Sequence, residues 1–164
     1  MSQILVVSDT HVRTVSELPR GILQAVREAE CVVHCGDYVS VAVVDELRRL
    51  SRHFVGVYGN ADPGDVRKQL TSRATFEFEG MKITVVHPHW GGHPDGLVEE
   101  LAAQFSGFDA VLFGHTHETC NLKLNGTLFL NPGQGYHSFM VPASLGILSV
   151  MDGKLEAEIS VLSD

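Results

Sequence analysis

Apolar and polar positions follow two alternating patterns in the N-terminal half of the chain. Short apolar runs at residues 4–8, 31–36 and 54–58 each end in a polar or glycine-containing turn. Between these runs, apolar residues recur at helical spacing over residues 16–30 and 41–50. Strands that alternate with amphipathic helices are typical of α/β folds. The pattern therefore predicts three strands and two helices in this half.

The C-terminal half carries the turn signals of β-hairpins instead. Two-residue turns flanked by β-type runs occur at Glu79-Gly80, Asn125-Gly126 and Asp152-Gly153. Further elements are predicted between them, namely a strand over 82–86, a helix over 95–105 and a strand over 110–113. No proline-rich or low-complexity segment interrupts the sequence. We therefore predict an α/β fold of two packed sheets with helices outside, forming a single domain over residues 1–164.

Length, charge and cysteine usage restrict the class of protein. A chain of 164 residues is long enough to bury a hydrophobic core without disulfides, and no apolar run is long enough to cross a bilayer. Three cysteines, Cys31, Cys35 and Cys120, form no Cys-x-x-Cys pair, which favours free thiols in a reducing compartment. The net charge of -8 argues against a nucleic-acid partner. We expect a cytoplasmic protein with no membrane partner, and homo-oligomerisation stays open.

Candidate chemical groups lie directly after the predicted strands, where the loops of an open α/β sheet converge on a ligand. Five such segments occur in order: Asp9-Thr10-His11, Gly36-Asp37, Gly59-Asn60, His87-Pro88-His89 and Gly114-His115-Thr116-His117. Each glycine is expected to let the backbone turn sharply before a functional side chain. We therefore predict one cluster of carboxylate, amide and imidazole groups.

The composition of this cluster is typical of a metal site. Residues two apart in an extended chain face the same side, so Asp9 and His11 can reach one ion. His115 and His117 can share an ion or divide between two, and the carboxylate of Asp37 can bridge two ions. A set without thiolates suits manganese, iron, nickel, cobalt or zinc. Seven candidate ligands exceed one tetrahedral site, which favours two ions with open positions for water or substrate.

In this order the five motifs resemble the calcineurin-like metallophosphoesterase superfamily, and the turn Asn131-Pro132-Gly133 is similar to that of its small bacterial and archaeal phosphodiesterase branch. The resemblance implies a four-layer αββα sandwich and a centre of two divalent ions, manganese first, with nickel, iron, zinc or cobalt as alternatives. It implies one ion on Asp9, His11, Asp37 and His117, and the other on Asp37, Asn60, His87 and His115. It further implies in-line attack on phosphorus by a hydroxide bridging the ions.

Two departures from the family pattern affect the expected roles. Ala61 stands where many members have a histidine that protonates the leaving group. We hypothesise that His89, His93, His137 or a metal-bound water supplies that proton, or that the leaving group needs little protonation. Pro88 replaces a common glycine and leaves the choice between His87 and His89 as ligand open. Catalytic roles are assigned to Asp37, Asn60 and His89.

The expected function is hydrolysis of a small phosphate diester. No arginine follows Gln134, so the bidentate clamp that favours a charged monoester is missing from that turn. The alternatives are passive metal binding without turnover and a non-catalytic protein-binding scaffold, as in the retromer subunit; the complete ligand set favours catalysis. Two further residues have structural interpretations. His34 is expected to be a buried, hydrogen-bonded histidine, and Asp62 either orients a histidine or forms its local turn.

Overall fold

Two five-stranded sheets form the centre of the molecule in the computed structural model, which describes residues 2–91 and 93–163. The strands are β1 Ser2–Val7, β2 Cys31–His34, β3 His53–Gly56, β4 Arg73–Phe78, β5 Met81–Val86, β6 Ala110–Phe113, β7 Cys120–Leu124, β8 Thr127–Asn131, β9 Ser144–Met151 and β10 Lys154–Val161. The helices are α1 Arg20–Glu28, α2 Val41–Leu50, α3 Gly64–Gln69 and α4 Leu97–Gln104, with a 3-10 turn at Val15–Glu17.

The strand order brings the functional loops to one edge. The first sheet has the order β10-β9-β1-β2-β3, with β1, β2 and β3 parallel. The second has the order β4-β5-β6-β8-β7, with β5, β6 and β8 parallel. Parallel strands end at the same edge of a sheet, and ligands bind at such carboxyl ends. The loops after β1, β2 and β3 therefore open together, as do those after β5 and β6.

Strand alternation explains the layers. In β1, Ile4 and Val6 pack between the two sheets, whereas Leu5 and Val7 pack in the cluster that includes residues of α1 and α2. Successive residues of a strand point to opposite faces, so a strand buried on both faces is apolar throughout. A third cluster joins the second sheet to α4. The predicted two-sheet sandwich with outer helices is thus confirmed.

All three hairpin turns are also confirmed. Each has both turn residues at positive φ, as at Asn125 (52°) and Gly126 (81°), which is the conformation of a type I′ turn.

Two helices differ from the sequence prediction. The helix expected over 16–30 starts only at Arg20, because Pro19 lies at its N-cap and lacks the N–H that would continue an earlier helix. The helix α3 was not predicted, since it has six residues and buries only Val66.

Within the described residues, no helix is both long and apolar enough to span a bilayer. The cysteines are free thiols, and Cys31 and Cys35 are buried between the sheets. Burial and the nearby Glu30 carboxylate raise the pKa of Cys31 to about 11.

Truncating the inter-sheet core should destabilise the protein. Leu112 on β6 is fully buried, so Leu112→Ala is expected to lower the free energy of unfolding by about 2–5 kcal/mol through lost burial and a cavity. Urea unfolding measures the change. The matched control is Leu122→Ala, because Leu122 is 43% exposed; equal losses for the two variants would contradict this account of the core.

Candidate metal centre

The loops that follow β1, β2 and β6 are joined by hydrogen bonds. The N–H of Asp9 donates to the carbonyl of Gly36 (2.9 Å), and that of His11 donates to the carbonyl of Asp37 (3.3 Å). From the second sheet, the N–H of His115 donates to Asp9 Oδ2 (3.0 Å). These bonds bring the ends of both sheets into one cluster.

One group of candidate ligands consists of Asp9, His11 and His117, whose ligand atoms all lie within 4.8 Å of one another. Asp9 Oδ1 is 3.3 Å from His117 Nε2 and 4.0 Å from His11 Nε2. The two imidazole rings are 5.5 Å apart, between centroids. Three donors thus face a common point at the edge of the first sheet.

A second group consists of Asp9, Asp37 and His87. Asp37 Oδ2 lies 3.3 Å from His87 Nε2 and 3.6 Å from His11 Nε2, so one carboxylate oxygen faces both groups. The other oxygen accepts the N–H of Ala61 (2.8 Å). The position of Asp37 is therefore suited to a bridging ligand.

Asn60 and His115 extend the second group. Asn60 Oδ1 is 2.9 Å from His87 Nε2 and 3.1 Å from His115 Nδ1. His115 therefore lies beside His87, while His117 lies beside His11. Of the two arrangements left open for this pair of histidines, these positions favour the divided one.

The two histidines of the His87-Pro88-His89 segment differ in position. His87 is buried, and its Nδ1–H donates to the carbonyl of Cys35 (2.8 Å), which leaves Nε2 directed at Asp37. A second hydrogen bond of this kind orients many metal-binding histidines. His89 is exposed and lies outside both groups. The geometry favours His87 as the ligand.

The backbone is strained where these side chains lie. Five candidate ligands, Asp9, His11, Asp37, His115 and His117, have φ between 47° and 80°. Non-glycine residues rarely adopt this left-handed region, which costs roughly 1–3 kcal/mol each and is concentrated at functional sites. The extended backbone assumed for Asp9 and His11 was thus wrong: tight left-handed turns bring them together.

Two of the motif glycines provide space rather than a turn. Gly36 has a φ of 104°, as expected for a sharp turn, but Gly59 and Gly114 do not have positive φ. A Cβ at Gly59 would collide with the carboxylate of Asp37, and one at Gly114 with the hydroxyl of Ser8. Both glycines therefore allow a neighbouring strand end to approach the acidic side chains.

Contacts with histidines keep both aspartates ionised. Burial alone would raise the pKa of Asp37, but its contact with His87 and the charge of that ring lower it to about 2. Burial opposes ionisation of Asp9 as well, and the contact with His117 and the charge of His87 lower its pKa. The contact with Asp9 raises the pKa of His117 in turn. The carboxylates are thus in the form that binds cations.

The cluster fits divalent metal ions on two further grounds. Within the described part of the chain, the buried atoms Asp9 Oδ1 and His11 Nε2 make no hydrogen bond. A buried polar atom without a partner costs free energy, which a bound cation would offset. Imidazole nitrogens with carboxylate and amide oxygens also form the donor set of first-row transition metals.

The relationship to known proteins agrees with this chemistry. Residues 2–153 match the family model described as the calcineurin-like phosphoesterase superfamily domain. The chain belongs to this superfamily. The predicted family and the predicted enzyme class, a metallophosphoesterase, are therefore confirmed.

Relatives of this phosphoesterase include two archaeal proteins. This chain is 31% identical over 157 residues to a probable metallophosphoesterase of Methanothermobacter thermautotrophicus, and the match covers 94% of this chain and 89% of that protein. It is 29% identical over 148 residues to a phosphodiesterase of Methanocaldococcus jannaschii, covering 80% and 83%. Both similarities extend over most of each chain.

Solved structures share the fold. A Thermotoga maritima protein is 33% identical with a TM-score of 0.76, covering 99% of this chain and 100% of that one. Vacuolar protein sorting 29 of Cryptosporidium parvum has a TM-score of 0.74 at 21% identity, covering 99% and 98%. At that identity the second likeness shows the fold alone.

Asp62 holds two of the candidate ligand loops of this phosphoesterase in place. Its buried carboxylate accepts the N–H groups of Gly59 (2.7 Å), Val39 (2.8 Å) and Asp37 (2.9 Å). It therefore binds backbone donors instead of orienting a histidine. Its own N–H donates to the carbonyl of Gly59 (3.2 Å), so the turn interpretation also applies. Asp62 fixes the loops that carry Asn60 and Asp37.

The sequence analysis assigned no role to Gln134, yet this residue contacts a candidate ligand. Its Oε1 is 3.3 Å from His117 Nδ1, and its amide nitrogen donates to the carbonyl of Tyr136 (2.9 Å) and the hydroxyl of Ser138 (2.9 Å). Gln134 thus orients His117 and connects it to the following loop. A glutamine gives no sequence signal for this role, because the contact depends on a turn 17 residues away.

His34 is a buried, hydrogen-bonded histidine, as predicted. The N–H of Gly36 donates to its Nδ1 (3.1 Å), so its Nε2–H donates to Thr10 Oγ1 (3.0 Å). Burial lowers the pKa of His34 to about 3, which keeps the ring neutral. It links the loop after β1 to the loop after β2.

Removing the Asp62 carboxylate should loosen both loops. Asp62→Ala leaves three backbone donors without their acceptor, so we expect a loss of at least about 2 kcal/mol in the free energy of unfolding. Metal affinity, measured by calorimetry, should fall roughly ten- to hundredfold. The control is Asp65→Ala on α3, where the side chain is exposed. Unchanged stability and affinity in Asp62→Ala would refute the supporting role.

Proposed function

We propose that this metallophosphoesterase hydrolyses small phosphate diesters at a centre of two divalent ions. The observation that carries the proposal is the convergence of two groups, Asp9 with His11 and His117, and Asp9 with Asp37 and His87. Asp37 Oδ2 faces both. Such a set leaves positions open for a substrate oxygen and a water.

The residues divide between two ions in the proposal. The first is held by Asp9, His11, Asp37 and His117, and the second by Asp37, Asn60, His87 and His115. When bound, the ions supply activation of a water and stabilisation of negative charge on the phosphoryl oxygens. The protein's part is to hold these ligands in place, through Asp62, Gln134 and the carbonyl that accepts His87 Nδ1–H.

Two features favour diesters over monoesters. The turn after Asn131-Pro132-Gly133 carries Gln134, whose amide is used to orient His117 and which bears no charge. A diester has one negative charge fewer than a monoester dianion, so it needs less cationic recognition. The relative from Methanocaldococcus jannaschii is named a phosphodiesterase. Manganese is the proposed ion, with nickel, iron, zinc or cobalt as alternatives.

His89 is the proposed proton donor to the leaving group, in place of the histidine that Ala61 replaces. Its ring lies in the wall of a recess that also includes Asn60 and His87. The other two candidate histidines do not line this recess: His93 Nδ1 is 3.5 Å from the Asp95 carboxylate, and His137 Nδ1 accepts the N–H of Ala143 (3.0 Å). His89 Nδ1 also has a local partner, the carbonyl of His87 at 3.3 Å, so its place in the recess is what distinguishes it.

The test of function is metal-dependent turnover. Metal-stripped protein should not hydrolyse bis(4-nitrophenyl) phosphate, and added manganese should restore activity that exceeds that on 4-nitrophenyl phosphate. Asp37→Asn should lower kcat/KM at least about a hundredfold, more than the loss of an outer partner costs. Asp65→Asn is the matched control. Metal uptake without hydrolysis of either ester would favour a protein-binding scaffold on this fold.

A second experiment tests His89. General acid catalysis contributes roughly 10²–10⁴-fold and matters most for poor leaving groups. His89→Gln should therefore lower kcat/KM about a hundredfold on diphenyl phosphate, and less than about tenfold on bis(4-nitrophenyl) phosphate. His53→Gln, at an exposed position, is the control. Equal losses on the two diesters would exclude His89 as the donor.

A further inference from the structure

A recess of about 210 Å³ opens beside the candidate metal centre. Two candidate ligands, Asn60 and His87, form part of its wall. The remaining side chains that define it, called here the Trp90 recess, are Tyr58, Arg67, Ser72, His89 and Trp90. None of these described residues is acidic. A concave space next to the reacting group is where an enzyme holds the organic part of its substrate.

Trp90 is held in position although the residue is 47% exposed. The indole N–H donates to Oε1 of Gln104 on α4 (3.2 Å). The turn that carries Trp90 is closed by a hydrogen bond from the N–H of Gly91 to the carbonyl of Pro88 (3.1 Å). A ring fixed in advance loses little conformational entropy when a ligand packs on it.

Arg67 brings a fixed positive charge to the same recess. Its guanidinium lies 5.0 Å from the centroid of the Tyr58 ring. The guanidinium N–H groups donate to the carbonyls of Asp62 (2.9 Å) and Asn60 (3.2 Å). The charge is therefore anchored to the turn that carries a candidate metal ligand, and it favours an anionic ligand in the recess.

We propose that the Trp90 recess binds an aromatic ester arm of the phosphate diester, an inference that rests on the proposed function. The exposed aromatic side chain of Trp90 offers a surface to a planar ring, and Arg67, which lies over the Tyr58 ring, complements the anionic phosphate that the ligand ring carries. A methyl or other small alkyl arm would leave the surface of Trp90 uncovered. The recess thereby selects aryl or heteroaryl diesters over dialkyl ones.

A larger cavity of about 510 Å³ lies beyond Tyr136, and its wall includes Glu17 and Arg20. None of the seven candidate ligands lines it. Of these two recesses, the smaller one is in contact with the candidate ligands.

Trp90 is the one tryptophan of the sequence, so its fluorescence reports on the recess directly. The probes are phenylphosphonate and methylphosphonate, which share a head group and cannot be hydrolysed as esters. With zinc-loaded protein, phenylphosphonate should bind about tenfold more tightly in calorimetry, as stacking on an aromatic ring predicts. It should also change Trp90 emission, whereas methylphosphonate should not.

Variants separate the recess from the rest of the surface. Trp90→Leu should abolish the preference for the phenyl ligand, while Trp90→Phe should keep most of it. Phe139→Leu is the matched control, because Phe139 is 93% exposed and does not line the recess. Equal affinity for both phosphonates, or a preference that survives in Trp90→Leu, would overturn the proposed role of the Trp90 recess but not the proposed phosphoesterase function. No binding of either phosphonate would count against both proposals.

Discussion

Two buried carboxylates, Asp9 and Asp37, lie at the ends of neighbouring parallel strands, and much of the molecule is arranged around their charge. Two like charges removed from water are costly unless donors or cations surround them. The donors are present: Ser8 Oγ and the N–H of His115 reach Asp9, and the N–H of Ala61 reaches Asp37. One buried oxygen of Asp9 still has no hydrogen bond, and a metal ion is the natural partner for it.

The close approach of these charged groups explains why the local backbone departs from ordinary geometry. Left-handed conformations in the ligand loops, and strand ends packed so closely at glycines that a Cβ would collide, are unfavourable by themselves. They persist because rigid layers hold both ends of each loop. Strands β1 and β2 are buried on both faces, and Asp62 and His34 join the loops that follow them. The stability of the sandwich therefore maintains the strain at the site.

The sequence predicted the sheets and the hairpins, because hydrophobic alternation and turn dipeptides are local signals. The structure also brings the side chains of the candidate ligands together, while their role as ligands stays a prediction. The helix α2 was expected at the bounds it has, Val41–Leu50. The short helix α3 escaped, since six residues carry too little periodicity. The contacts of Gln134 and Asp62 with the site also escaped, because they depend on which distant loops meet. The role of Gly59 also depends on a distant residue. Gly59 leaves space for the carboxylate of Asp37, and the local sequence around Gly59 contains no sign of that contact.

One consequence follows from the distribution of the candidate ligands over the two sheets. Asp9, His11, Asp37 and Asn60 follow strands of the first sheet, whereas His87, His115 and His117 follow strands of the second. Asp9 and His115 are 106 positions apart in the chain. Two bound metal ions would therefore act as a crosslink that closes a long loop and joins one sheet to the other. In such a protein the metal ions also stabilise the fold, so their loss would lower the free energy of unfolding as well as the activity.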